Sequence, residues 1–173
     1  MKRLIAGSLC AVALLGLALG VYLGLGLMEV AADAKPAAWE AGLMPSAVHA
    51  SVQRRAAAMQ SPLPQTDATL VAGGRLYMKD CVGCHGAPGP HPSDYGLTFF
   101  PPAPQFAQAG SRFSDAERFW VAKHGIRMSG MYPQAPHYSD ADLWRLAAFI
   151  GRIGSLPPAV AKAIQPPASP ASN

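Results

Sequence analysis

The sequence predicts an all-α protein: a single transmembrane helix followed by one small helical domain. Three observations predict it. An uncharged apolar run opens the chain, hydroxyl-plus-acid helix starts recur downstream, and the remainder is poor in the Val and Ile that favour strands. A length of 173 residues allows one folded unit with attachments. The formal charge of +4 includes Lys2 and Arg3 ahead of the apolar run, and the other basic residues are scattered. No Lys/Arg cluster is interleaved with aromatics, so the sequence offers no nucleic-acid surface.

From Leu4 to Met28 there are 25 residues without a charged side chain. As a helix this run would extend ~37 Å, enough to cross a hydrocarbon layer of ~30 Å with some tilt. Lys2 and Arg3 lie before it and Glu29 and Asp33 after it, so the positive-inside rule puts the N-terminus in the cytoplasm and everything after Met28 outside. The competing reading is a cleaved signal peptide, with Ala31, Ala32 and Ala34 as the small-residue site. Its apolar core would run ~7–15 residues, and this one is far longer, so residues 1–30 are read as a retained anchor. Cys10 is read as apolar filler. Gly16, Gly20 and Gly24 share one helix face, which would admit a second transmembrane helix, although glycine is common in such helices in any case.

Residues 31–65 read as a linker rich in proline, with one Pro-free stretch, Ser46 to Gln60, whose Val48, Val52, Ala56 and Met59 repeat at helical spacing. It is expected to act as a spacer or as a docking element at the membrane surface. Residues 66–155 form the expected domain. Thr66 and Asp67 open a helix that runs into Cys81. From Gly83 to Gly110 six prolines and five glycines predict an irregular loop lying over something other than protein. Ser114 and Glu117 form a capping box for a helix that stops at Gly125. Ser139 and Asp142 open a last helix through Ile153, ended by Gly154. Residues 156–173 are Pro, Ala and Ser with little to bury, and are expected to be a disordered tail.

The chemistry lies in Cys81-Val82-Gly83-Cys84-His85, the c-type haem attachment pattern. Two thiols two residues apart on a turn can reach the two vinyl groups on one porphyrin edge, and the next residue, His85, is then held under the iron. A thioredoxin-like pair would need a βαβ context and an exposed low-pKa thiol at a helix start, whereas here a helix precedes the motif and a Pro-rich loop follows it. A zinc site would need a second ligand pair, and Cys10 is the one cysteine left. One covalent haem c is therefore expected. Spacing alone leaves Met128, Met131, His91, His124 and His137 open as the sixth ligand, with His91 close behind His85 and His124 at a helix end.

Residues from about Thr66 to Ile153 resemble the mono-haem class I cytochromes c, in particular bacterial membrane-bound or enzyme-associated domains. The resemblance rests on the haem motif, on Gly86 after it, and on Gly125-Ile126-Arg127-Met128-Ser129-Gly130-Met131. It implies a class I cytochrome c-like helical domain around the haem, with Met131 as the axial methionine and Met128 at a variable position. Tyr132 stands before Pro133 where the family usually has proline at once. It also implies that Gly73 and Tyr77 of the first domain helix face Leu146 and Phe149 of the last, and that the Pro101, Pro102 and Pro104 run lies beside the haem, with one of the three buttressing His85.

The function expected is electron transfer without substrate chemistry: a periplasmic haem domain on the bacterial inner membrane, exchanging electrons with a donor and an acceptor protein in or at that membrane, free-standing or as the cytochrome subunit of a respiratory dehydrogenase or oxidase complex. The alternative is a haem protein with an open distal position that binds small ligands or has peroxidase activity.

Overall fold

The computed structural model describes residues 2–31 and 34–165. It divides into two units, one up to Lys35 and one from Pro36 onward. Among the described residues there are helices and no strands.

The first unit is helix α1, Lys2–Gly24. Its apolar stretch Ile5–Gly24 is wholly exposed, 20 residues that rise ~30 Å, the span of a hydrocarbon core. The regular helix stops four residues before the apolar run does, for a backbone reason. Gly26 takes φ +67°, Leu27 N–H reaches back to the Tyr22 carbonyl at 3.1 Å, and Gly26 N–H reaches that of Leu23 at 3.1 Å. This is the glycine-terminated Schellman ending, which satisfies the last carbonyls of a helix.

The second unit holds α2 (Ala38–Ala56), α3 (Asp67–Asp80), α4 (Val82–His85), α5 (Asp94–Leu97), α6 (Phe106–Ala109), α7 (Asp115–His124), α8 (Asp140–Ile150), a 3₁₀ turn at Ile153–Ser155, and α9 (Pro158–Ile164). Its centre is the crossing of α3 and α8. Gly73 and Gly74 leave no room for side chains: a β-carbon on Gly74 would stand 2.8 Å from the Phe149 ring, and one on Gly73 would meet the Arg145 carbonyl. Tyr77, with no exposed surface, then packs its ring 5.3 Å from that of Phe149. Gly73, Tyr77 and Phe149 thus meet as expected, with Leu143, Leu146 and Ala147 completing the buried side of α8. Helix α7 covers α8 through Phe119, whose ring stacks on Trp144 at 4.1 Å and 5°. The predicted caps form. Thr66 accepts from Thr69 N–H, the Ser114–Glu117 box is reciprocal, and Ser139 accepts from Asp142 N–H.

Three expectations are corrected. The helix read over Ser46 to Gln60 starts at Ala38 and carries Pro45 inside it. Its second half is no free linker: Val52 and Ala56 are buried, His49 stacks on Phe113 at 5.4 Å, and Arg55 lies over the Trp120 ring. Trp39, Leu43 and Met44 in its first half stay exposed. The chain expected to be disordered from residue 156 forms α9, started by Pro158 at the first helical position, where a missing N–H costs nothing. Val160 and Ile164 are buried, and a methyl group of Ile164 fills the space over α3 that Gly74 leaves open. The rest of that expected tail, 166–173, lies outside the described residues. Finally, α8 ends at Ile150 rather than Ile153, because the chain tightens into the 3₁₀ turn after Gly151.

Candidate functional site

Cys81 is the residue at which α3 ends, and Cys84 and His85 lie on the single turn α4 that follows. The turn is closed by His85 N–H to the Cys81 carbonyl at 2.9 Å and by Gly86 N–H to that of Val82 at 3.0 Å. Gly86, at φ +77°, breaks the turn in a conformation that a side chain would strain. Tyr77 secures the other side, its hydroxyl donating to the carbonyls of His85 at 3.1 Å and Gly86 at 2.7 Å. A phenol that is buried and so used loses its acidity, and burial, with the Cys81 thiol second, drives its pKa far up.

The imidazole of His85 is held from two directions. Its Nδ1 lies 2.8 Å from the Pro104 carbonyl oxygen. A carbonyl only accepts, so the proton sits on Nδ1 and the lone pair on Nε2 is free for a metal. The ring face stacks on Phe106 at 4.7 Å and 17°. Burial lowers the His85 pKa and the Pro104 bond partly opposes it, so the ring is neutral at physiological pH, the state a ligand must have. Pro104 is the proline of the predicted run that does the buttressing.

Between Pro104 and Phe106 stands a residue to which the sequence drew no attention. Gln105 is buried, and its amide donates to the Cys84 carbonyl at 2.9 Å and the Ala103 carbonyl at 2.8 Å while accepting from Ser93 N–H at 2.7 Å. Ser93 in turn caps α5 and bonds the Gly83 carbonyl. Beyond the motif turn itself, the loop predicted as irregular therefore contains two single helical turns, α5 and α6, stitched to the motif by side chains. A lone glutamine in a Pro-rich stretch carries no pattern, so only the fold reveals it.

The two thiols are not paired with each other. The Cys81 thiol is pushed up to about 12, chiefly by burial, then by Asp80 and Cys84. Redox-active dithiols need the opposite, a lowered thiol pKa, which disfavours the thioredoxin-like reading.

Residues 125–131 form a second loop. Gly125, at φ +67°, ends α7 where a β-carbon would stand 2.6 Å from the Met131 carbonyl oxygen. Ile126 N–H bonds that oxygen at 2.8 Å, and Ser129 Oγ donates to the Ile126 carbonyl at 2.7 Å while taking Met131 N–H at 3.1 Å. The loop is therefore tied at both ends, and Met131 is half-buried. Met128 sits at the tip with φ +58° and 90% exposure. His91, His124 and His137 are all exposed. Phe99, from the loop that follows His85, packs its ring against Gly130, bringing the two loops together.

This donor set fits a covalent haem: two unpaired thiols on one turn, and a neutral imidazole with its outer nitrogen satisfied and its inner nitrogen free. Residues 68–150 match the family model described as cytochrome C oxidase, cbb3-type, subunit III. This stretch is a class I c-type cytochrome domain. No curated protein and no solved structure matches the chain. A c-type cytochrome domain implies haem-based electron transfer. The all-α fold of the described residues is the one expected.

Proposed function

We propose that the chain is a membrane-tethered periplasmic electron carrier holding one haem c, attached through Cys81 and Cys84, with its iron between His85 and Met131. The observation that carries the reading is the 2.8 Å contact between His85 Nδ1 and the Pro104 carbonyl, which leaves Nε2 as the ligating atom. When bound, the haem supplies a one-electron ferric/ferrous couple. The chain's own residues hold it still. Tyr77 and Gln105 fix the backbone of the motif turn, Phe106 fixes the plane of the imidazole, and the tied 125–131 loop presents Met131. Little atomic movement between oxidation states favours fast transfer. Of the two methionines on that loop, Met131 is the better supported, because Met128 projects from the tip and Met131 is backed by hydrogen bonds on both sides.

Anchoring is supported by the exposed apolar face of α1 and by the cationic residues before it. The donor and the acceptor are then redox proteins in or at the inner membrane. The matched family is described by the name of an oxidase subunit, and this favours a place as the cytochrome subunit of an oxidase or related respiratory complex.

Carbon monoxide binding by the ferrous protein tests the reading. The wild type should bind it poorly at neutral pH, Met131→Ala should bind it readily with a lowered potential, and Met128→Leu should behave as wild type. Ready binding by the wild type would instead favour the open-site alternative. Purification from membranes in mild detergent, followed by identification of co-purifying proteins, tests the place in a complex.

A further inference from the structure

We propose that Gln105 is a positioning residue for the haem ligand His85, setting the strength of the His85–Pro104 hydrogen bond and through it the reduction potential. The proposal rests on the ligation read above for His85. Three consecutive residues each touch a different part of the motif: Pro104 the imidazole nitrogen, Phe106 the imidazole face, and Gln105 the peptide joining Cys84 to His85.

The amide of Gln105 is fully used. Both hydrogens on Nε2 go to carbonyls, those of Cys84 and Ala103, and Oε1 takes the Ser93 N–H. Since carbonyls cannot donate and N–H cannot accept, only one orientation of the amide satisfies this set. It sits in a slot between two glycines. A β-carbon on Gly86 would stand 2.8 Å from Oε1, and one on Gly96 would stand 3.0 Å from Nε2 and also collide with the Cys84 carbonyl.

The single Nε2 thus clamps the segment carrying Pro104 to the turn carrying His85. Without it, these two segments keep only the His85–Pro104 bond and the Phe106 stack, and the half-buried carbonyl of Cys84 loses its partner. That cost would be relieved by the segments moving apart. A longer Nδ1–H to carbonyl bond makes the imidazole a weaker electron donor, which favours ferrous iron. The sign follows: weakening the clamp raises the potential. Asparagine is one methylene too short to span both carbonyls, and glutamate has no hydrogen to donate.

The test uses the full-length haem protein in detergent with Gln105→Met and Gln105→Glu. Both remove the donor, and Glu keeps the acceptor for Ser93. For Gln105→Met we expect a higher potential and exchange of the His85 Nδ1 proton in the ferrous protein about tenfold faster than in wild type. Gln105→Glu should show the same faster exchange, since it too lacks the donor. Loss of thermal stability in Gln105→Met with wild-type potential and wild-type proton exchange would overturn the proposal, leaving Gln105 a merely structural residue. If neither variant matures with haem, the wild type decides. The Gln105 side-chain amide should be protected from exchange at least about tenfold over that of exposed Gln53, and an unprotected amide overturns the proposal. A wild type whose spectrum lacks a histidine-ligated haem would overturn the ligation reading, and is recognised before any variant is made.

Discussion

The α-carbon of Gly73 lies directly against the backbone carbonyl of Arg145, so that a β-carbon there would overlap the oxygen and come within 3.0 Å of the Phe149 β-carbon. Neither neighbour is a flexible side-chain end, so the helices themselves would have to part. Gly73→Ala should therefore cost about 3 kcal/mol, the upper range for overpacking, in denaturant unfolding of the haem-loaded protein. Gly42→Ala is the control: α2 is open at that position, and the change should stabilise by ~0.5–1 kcal/mol through helix propensity.

The Gly73 contact was expected from the sequence because the resemblance to class I cytochromes c implies that Gly73 and Tyr77 face the last domain helix. So were the caps at Thr66, Ser114 and Ser139, which are local chemistry. What was not legible depends on distant partners. Pro45 argued against a helix start at Ala38, yet the burial of Val52 and Ala56 supports a helix that contains it. The Pro-Ala composition after residue 156 suggested disorder, because the gap over Gly74 that α9 fills exists only in the folded chain. Gln105 belongs to the same class, since its partners at residues 84 and 93 are remote in sequence.

Ser139 and Asp142 make a pH-dependent pair at the start of α8. The hydroxyl donates to the Asp142 carboxylate at 2.7 Å and accepts from Asp142 N–H at 3.2 Å. That bond, with Arg145 beside it, lowers the carboxyl pKa. A carboxyl more acidic in the folded state stabilises the fold above its unfolded pKa, and the contribution fades as pH falls through the folded value. Ser139→Ala should cost ~1 kcal/mol at neutral pH and less in acid, and should move the Asp142 carboxyl resonance to titrate at higher pH.

Tyr138 ties the chain before α8 to the end of α3 by donating to Asp80, next to Cys81. This bond is the chief reason that its phenol is pushed up to about 12, with burial and the charge of Asp80 adding to it. Alkaline difference spectroscopy should find a late-titrating tyrosine that disappears in Tyr138→Phe. In Asp80→Asn it should titrate closer to the ordinary tyrosine value.

Helix α9 is part of the domain if its two buried residues carry weight. Ile164 is 6% exposed and its methyl group occupies the slot over Gly74. Ile164→Ala should lower stability by ~2–5 kcal/mol, the range for truncating a buried isoleucine, whereas a disordered tail would tolerate the change without effect. Thermal unfolding followed at the haem absorbance separates the two outcomes.

The covalent attachment itself makes the sharpest prediction, because it divides the two thiols from the imidazole. Cys81 and Cys84 are on one turn but at different depths of support, Cys81 at the end of α3 and Cys84 held through its carbonyl by Gln105. Either thioether alone should keep the haem on the chain through denaturation, so Cys81→Ala and Cys84→Ala should each retain colour after acid-acetone extraction, with lower yield. The double variant should lose all of it. His85→Ala should keep the covalent haem wherever it is made, yet lose the low-spin spectrum, since the thiols attach the porphyrin edge and the imidazole binds the iron. Intact mass measured beside the absorption spectrum reads both effects at once.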